Sequence, residues 1–248
     1  MGFSIEGLRR NNMITTRSFA VLGLSLIIAL AVFGVQIVRA VKKGREFDRY
    51  LTVRGLSERE VKATLAIWPI RFSVNADDLL ALRPAMERDQ RLVMAFLQDS
   101  GINSKDVTLG LPTVSDRLEE RTTANKPALS RYKGVVTIVV RSSEVEVVKK
   151  AIQQVEALLD KGVALSGNEY GDQPEFLFTE LNQIKPDMIQ EATANARASA
   201  EKFAQDSKTK VGAIRRASQG AMEIEDRDKA SPEKKIIRVV TTIDFFVE

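Results

Sequence analysis

The chain has 248 residues, of which 37 are lysine or arginine and 33 are aspartate or glutamate, so its formal charge is +4 at pH 7. It contains no cysteine and no histidine, which excludes disulfides, thiol catalysis, a Ser-His-Asp triad and the commonest transition-metal sites, so we do not expect an enzyme. With 44% hydrophobic and 28% charged residues, the composition is typical of a globular protein.

The positive charge is concentrated at the N-terminus. The first 45 residues contain seven basic residues and a single acid, Glu6, and carry +6, which leaves 30 basic and 32 acidic residues in the rest. A net charge of −2 there has the wrong sign for a surface that binds phosphates, so we expect no nucleic-acid partner. Basic residues at the two ends of an apolar segment are typical of charges at a membrane interface.

An uncharged run of twenty residues, Phe19–Val38, is polar only at Ser25 and Gln36. Twenty residues of helix span the hydrocarbon core of a bilayer. We therefore predict that residues 18–38 form a transmembrane helix with the lipid bilayer as partner. The flanking regions are then a short basic segment at residues 1–17 and a basic juxtamembrane linker at residues 39–49.

A cleaved signal peptide is the alternative for this segment, because Val38-Arg39-Ala40 loosely fits a small-x-small cleavage site. Against it, the apolar run is longer than an ordinary signal-peptide core, and the basic cluster Arg39–Arg45 is poorly placed for export. Basic residues on both sides leave the orientation nearly balanced, with a slight lean toward a cytoplasmic C-terminal domain. Gly23 and Gly34 lack the GxxxG spacing and support helix association only weakly.

From Tyr50 onward, strand-like and helix-like stretches of uneven spacing predict an α+β domain over residues 50–248, with helices packed on a mostly antiparallel sheet. The first strand pattern changes phase around Trp68-Pro69, which predicts a β-bulge at Pro69 and a core position for Trp68. The apolar positions that define this pattern are Val61, Ala63, Leu65, Ile67, Ile70, Phe72 and Val74.

Two helices and a central strand follow. A helix is predicted over Asp77–Ser100, with an apolar stripe at Leu82, Met86, Val93 and Leu97 and with Pro84 in its first turns. After a strand at Val107–Val114 and an exposed charged loop at Ser115–Lys126, the apolar run in Tyr132–Arg141 predicts a central strand. A capping box at Ser143–Glu146 then starts a helix that ends before Gly162, with a stripe at Val148, Ile152, Val155 and Leu159.

The last third of the chain contains a short strand at Glu175–Leu181 and a helix at Asp187–Gln205, with Pro186 at the helix start. Two strands close the chain. One, Val211–Ile224, is interrupted by small residues, and the other, Ile236–Val247, alternates between apolar and polar side chains and predicts one buried face.

The helix Asp187–Gln205 is rich in alanine, which allows it to lie close to a neighbouring element. Its pattern Ala196-Arg197-x-x-Ala200-Glu201-x-Phe203-Ala204, followed by Lys210-Val211-Gly212-Ala213-Ile214 and Ser218-Gln219-Gly220, resembles the signature of the SIMPL domain family, which includes the YggE-type envelope proteins of bacteria. The order of elements is similar from Tyr50 to the end. At Lys208 the family usually has glycine, so we expect the helix to end differently or to run longer.

The resemblance implies an α+β domain that is exported or anchored facing the periplasm and has no established catalytic residues. It also implies a link to oxidative-stress defence and envelope functions, and some relatives form large assemblies. It favours a single-pass protein of the bacterial inner membrane with its C-terminal domain in the periplasm, against the slight lean of the charge count.

No residue pattern in the chain predicts a catalytic, cofactor-binding or metal-binding site, and no cofactor is expected. The carboxylate pairs Glu119-Glu120 and Asp226/Asp228 lie among arginines and lysines, which favours solvated loops over a cation site. No Gly-rich phosphate loop or nucleophile elbow is present.

Three functions remain open. The first is a membrane-anchored, non-enzymatic assembly module that forms homo-oligomers and contacts other envelope proteins. The second is a periplasmic stress adaptor or holdase that acts as a monomer or dimer. The third and least favoured is a hydrolase with a Ser-Lys dyad, since a chance pairing of two such common residues is far more frequent than a site.

Overall fold

The computed structural model describes residues 23, 25–39, 49–118, 130–166 and 173–247. The fold is α+β, with helices and antiparallel strand pairs. The elements after residue 49 are, in chain order, β1 (Tyr50–Lys62), β2 (Leu65–Ala76), α1 (Leu79–Asp99), β3 (Val107–Leu109), β4 (Thr113–Asp116), β5 (Tyr132–Ser142), α2 (Val145–Gln153), α3 (Ala157–Asp160), β6 (Glu175–Leu177), α4 (Leu181–Asp206), β7 (Val211–Gln219), β8 (Glu223–Asp226) and β9 (Lys234–Val247).

The chain divides into two compact units. The large unit contains Leu56–Glu191 and Ala221–Val240. The small unit contains the chain up to Gly55, Ala192–Gly220 and the chain from Thr241. The elements β1, α4 and β9 each contribute residues to both units.

A five-stranded sheet forms the centre of the large unit, in the order β3-β5-β2-β6, with β4 also paired to β5. The antiparallel pairing of β2 with β5 runs without a break from Ala66 opposite Ser142 to Ala76 opposite Tyr132. This confirms that β5 is a central strand. Alternate side chains of β2 are buried, and they are Ala66, Trp68, Ile70, Phe72 and Val74.

The predicted bulge at Pro69 is wrong. Pro69 pairs in regular register with Val139, and the even-numbered positions of β2 are buried without interruption from Ala66 to Val74. The apparent change of phase arises because Leu65 and Ile67 are apolar residues on the opposite, half-buried face of the same strand. Trp68 lies in the core, as predicted.

Helix α1 packs its predicted stripe into this core. Leu82, Met86, Val93 and Leu97 are all buried, and each fully buried side chain of this size contributes about 1.5–3 kcal/mol. The helix begins two residues later than predicted, because the Asp78 side chain accepts the backbone N–H of Leu80 and acts as the N-cap.

The predicted capping box of α2 does not form. Glu144 occupies the N-cap position without a side-chain cap bond, and its own N–H donates to Ser142 Oγ at 3.2 Å. The Ser142 hydroxyl donates in turn to Asp106 Oδ2 at 2.7 Å, a partner far away in the sequence. The helix also stops at Gln153, so that Leu158 of α3 is buried and the predicted stripe residue Leu159 is exposed.

Other element boundaries differ from the prediction. The strand predicted at Val107–Val114 is two short strands, β3 and β4, and β4 reaches into the predicted loop, whose residues 119–126 lie outside the described part of the chain. Helix α4 begins at Leu181, so Pro186 lies inside it rather than at its start. The strand predicted at Val211–Ile224 is likewise two strands, β7 and β8.

The core of the small unit depends on alanine. Ala192, Ala196, Ala200 and Ala204, spaced by four residues, are the buried face of α4 in this unit. Two of them, Ala196 and Ala200, cluster with side chains of β1 and β9, namely Val53, Ile243 and Phe245. The approach is so close that a Cβ atom at Gly55 would lie 1.8 Å from the carbonyl oxygen of Ala192.

Helix α4 ends at Asp206, and Lys208, two residues later, has a left-handed backbone with a φ of 56°. The N–H of Lys208 donates to Gln205 and the N–H of Thr209 donates to Ala204, which is the Schellman arrangement that glycine ordinarily closes. The lysine thus takes the position at which the family usually has glycine, and of the two outcomes that we expected, a longer helix is not observed.

The N-terminal segment is helical at residues 25–39, and its large apolar side chains are exposed. Within the part of the chain that the structure describes, no helix combines the length and the apolarity needed to cross a bilayer. Residues 1–17, residues 18–22 and 24 of the predicted span, and residues 40–48 of the predicted linker lie outside the described residues.

Candidate functional site

An apolar groove lies in the large unit, with a cavity volume of about 560 Å³. We define it by the start of α1, by the connection between β3 and β4, and by Val136 of β5. Its apolar lining comes mainly from Leu79, Leu82, Pro84, Met86, Pro112 and Val114. A mostly apolar concavity of this size is within the range of ligand and peptide sites.

The sequence Gly110-Leu111-Pro112 opens the groove. It interrupts the edge strand next to β5, so that β3 and β4 pair with different parts of β5. The N–H of Gly110 donates to the Thr137 carbonyl oxygen at 2.8 Å, and a Cβ atom at Gly110 would lie at the same distance from that oxygen. Only glycine fits this approach without displacing the strand.

Two leucines beside the groove are almost fully exposed. Leu80, at the start of α1, is 84% exposed, and Leu111 is 94% exposed. Leu79 and Val114, which line the groove, are about half exposed as well. Isolated exposed leucines are common, but a continuous apolar surface around a concavity is typical of an interaction site.

Among the described residues that line the groove, both charged side chains are paired. Its two charged lining residues, Arg83 and Glu87, pair with each other across one helical turn, with Arg83 Nε 3.0 Å from Glu87 Oε1. The arrangement can bind apolar surface.

The large unit also contains an ion pair between Lys149 and Glu233, with Lys149 Nζ 2.5 Å from Glu233 Oε1. Burial raises the pKa of Glu233. The hydrogen bond from Lys149 and several smaller contributions together lower it by more, so the pKa of Glu233 lies below its ordinary value. The same hydrogen bond raises the pKa of Lys149. Glu233 Oε2 is buried without a hydrogen-bond partner among the described residues, while the Glu233 carbonyl oxygen accepts the N–H of Ala63. Glu233 therefore ties the β1–β2 turn and α2 to the start of β9.

Of the carboxylates considered in the sequence analysis, the structure describes Asp226 and Asp228, and each is paired with a basic side chain. Asp226 pairs with Lys235, and Asp228 pairs with Arg227 at 2.7 Å. The hydrogen bond from Arg227 lowers the pKa of Asp228. Glu119 and Glu120 lie outside the described residues, and among those that are described no three acidic side chains are grouped as metal ligands.

A Ser-Lys dyad requires a serine that hydrogen-bonds to a lysine. Two buried serines, Ser57 and Ser142, hydrogen-bond to carboxylates instead. Ser57 Oγ donates to Glu191 Oε2 at 3.0 Å, and Ser142 Oγ donates to Asp106. Both contacts join segments far apart in the sequence, and both serines are almost fully buried. Their geometry is that of structural hydrogen bonds.

Sequence reasoning missed the apolar groove. A signal was nevertheless present, because Leu80 lies outside the apolar stripe of α1 and Leu111 lies in the connection between β3 and β4. Such residues have no place in the core that the periodic positions build, so they indicate surface that another molecule can cover.

A family model described as SIMPL, protein of unknown function (DUF541), matches residues 51–243. This range begins in β1, ends in β9 and includes residues of both units. No curated protein matches the chain.

Proposed function

The chain belongs to the SIMPL family, and on this premise we propose that it is a membrane-anchored, non-enzymatic interaction module of the bacterial envelope that assembles into homo-oligomers through the apolar groove. The observation that carries the proposal is the groove itself, with Leu80 and Leu111 exposed beside it. Burial of a fully exposed leucine side chain contributes about 1.5–3 kcal/mol, so contact with a second copy that covers these leucines would stabilise the oligomer.

A second copy is the occupant we favour because the groove and its exposed leucines lie on the same surface. Two copies related by a twofold axis can each present Leu80 or Leu111 to the other's groove, so one surface satisfies both partners. The internal pairing of Arg83 with Glu87 also removes the cost of burying an isolated charge in that contact.

The proposed anchor is the segment at residues 18–38, with the C-terminal domain in the periplasm. Support comes from the uncharged run Phe19–Val38, from the basic residues at both of its ends and from the helix at residues 25–39. The proposed role in oxidative-stress defence rests on the family resemblance alone.

The mass of the full-length protein in mild detergent, measured by light scattering and corrected for bound detergent, tests assembly. We expect a discrete oligomer for the native chain and a smaller species for the double variant Leu80→Gln/Leu111→Gln. The matched control is Leu159→Gln, since Leu159 is 53% exposed on α3, away from the groove. A native chain that is monomeric contradicts the proposal.

The same exposed leucines favour a second candidate, a stress adaptor or holdase that binds unfolded segments of other proteins. A monomeric or dimeric native protein that suppresses aggregation of a denatured client, and loses this ability in the double leucine variant, would favour the adaptor over the assembly module.

The orientation is tested with a single cysteine at Ser115, which is exposed on β4. The native chain has no cysteine, so an impermeant maleimide would label only the introduced thiol. We expect labelling once the outer membrane is permeable and the inner membrane is intact. Labelling only after lysis contradicts a periplasmic domain.

A further inference from the structure

The two units carry opposite net charge. From residue 46 onward, the sequence ranges of the small unit contain eight basic and six acidic side chains, a net charge of +2. The sequence ranges of the large unit contain 22 basic and 26 acidic side chains, a net charge of −4. The nearly neutral total of the chain beyond its N-terminal segment therefore conceals a basic unit and an acidic one.

The cations of the small unit gather where three of its elements begin or end. The N–H of Val247, at the end of β9, donates to the carbonyl oxygen of Arg49, and Val247 is opposite Val211, at the start of β7. Lys210 directly precedes β7, and Lys208 closes α4. We call Arg49, Lys208, Lys210 and Arg215, together with Tyr50, the basic end.

Tyr50 links Arg215 to this group, because the guanidinium carbon of Arg215 lies 4.2 Å from the centre of the Tyr50 ring. The four cations are without an ion-pair partner among the described residues. Of the three acids that the structure describes in the small unit, two are occupied elsewhere, since Glu201 pairs with Arg197 and Asp244 accepts the Thr52 hydroxyl.

Apolar and aromatic side chains are exposed at or near the same end. Tyr50, Ile214 and Phe203 are each about half exposed. Phe203 lies in the last turn of α4. Amphipathic aromatic rings and long basic side chains together are typical of protein surfaces that contact lipid headgroups.

The position of the basic end along the chain places it near a bilayer if the anchor is correct. Only residues 40–48 separate the helical residues 25–39 from Arg49. Nine residues reach at most about 30 Å even when fully extended. A surface tethered so closely meets headgroups at a high effective concentration, so weak electrostatic attraction is sufficient to hold it there.

We propose that the basic end of the small unit binds anionic phospholipid headgroups of the membrane in which the chain is anchored. This inference rests on the proposed anchor. The chemistry is that of phosphate groups paired with lysine and arginine, with Tyr50 and Phe203 in the interfacial layer. Binding would hold the small unit on the bilayer surface.

The test uses the full-length protein reconstituted into vesicles, with an environment-sensitive fluorophore on Ser207→Cys, an exposed position next to Lys208. A second sample carries the fluorophore on Ser115→Cys in the large unit. We expect a blue shift at position 207 in vesicles that contain phosphatidylglycerol and none in neutral vesicles. About 0.5 M salt should abolish the shift, because it shortens the screening length to a few Å.

The variant is Lys208→Asn/Lys210→Gln/Arg215→Gln, in which asparagine tolerates the left-handed backbone at position 208. Each removed cation should weaken the surface contact about fivefold, so the shift should disappear. The matched control removes three exposed lysines of the large unit, Lys105→Gln/Lys150→Gln/Lys161→Gln, and should keep the shift.

The outcomes separate this inference from the anchor. If the protein floats with both neutral and anionic vesicles but its emission at position 207 is the same in both, the headgroup contact is overturned and the anchor is supported. Flotation with anionic vesicles alone, lost in the triple variant, supports the headgroup contact and contradicts the anchor. A blue shift with inorganic phosphate or duplex DNA and not with vesicles overturns the assignment to a lipid surface.

Discussion

The large and small units are packed by side chains of different size. The large unit buries large residues such as Phe72, Leu82 and Ile138 between a sheet and helices. The small unit instead brings Ala196 and Ala200 of α4 close to β1 and β9. We therefore expect the first core to be sensitive to lost volume and the second to added volume.

Phe72→Ala should have the largest effect, because Phe72 is completely buried in the core of the large unit. Truncation of a buried phenylalanine costs about 3–5 kcal/mol in the free energy of unfolding. Trp68 is the only tryptophan of the chain and lies in the same core, so its fluorescence during urea unfolding reports this loss directly. Phe72→Leu is the control and should retain most of the stability.

Ala196→Leu should have the next largest effect, since it inserts a branched side chain where α4 packs against β1 and β9. Overpacking of this kind costs about 1–3 kcal/mol. The measurement is hydrogen exchange of the amides in Ala192–Asp206, which should speed up. The control Ala198→Leu lies on the exposed face of α4, and similar exchange rates in both variants would contradict the contrast between the units.

Glu233→Gln should have an effect of about 1 kcal/mol, comparable to one hydrogen bond. It also has a pH signature. The pKa of Glu233 in the folded protein lies below its ordinary value of 4.5, so its contribution to stability is fully present above that pH and is lost as the pH falls through the folded pKa.

Urea unfolding at a series of pH values below 5 measures this effect. The native chain should lose stability more steeply than Glu233→Gln on acidification. Parallel curves for the two proteins would mean that the ion pair with Lys149 contributes nothing to the large unit.

Lys208→Gly should have the smallest effect, and of the opposite sign. Glycine adopts the left-handed conformation at the end of α4 without a steric cost, so we expect a gain of about 0.5–1 kcal/mol. Exchange of the amides in the last turn of α4 should slow down. Ser207→Gly, one residue earlier and outside the left-handed region, is the control and should bring no gain.

Part of the candidate site was accessible from the sequence. The apolar run Leu79-Leu80 and the interruption at Gly110-Leu111-Pro112 are visible along the chain. The sequence does not show that these two segments meet at the edge of the five-stranded sheet, because their meeting depends on the register of β3 and β4 against β5. The basic end was hidden for the same reason, since Arg49, Lys210 and Arg215 come together only through pairing with β9.

The sequence by itself determined the features that depend on local periodicity. The stripe of α1, the alternation of β9, the core position of Trp68 and the small-residue face of α4 all follow from the burial of one face of a regular element. The order of these elements is also sufficient for the resemblance to the SIMPL family, which the family match confirms.

Only the tertiary structure decided where elements end and which surfaces remain uncovered. The α2 N-terminus is organised by Ser142 and Asp106 in place of the predicted capping box, and the β1–β2 turn is held by Glu233. These contacts join residues far apart along the chain, and the periodicity of one segment contains no information about its partner. The division of charge between the two units follows from the same folding together of distant segments.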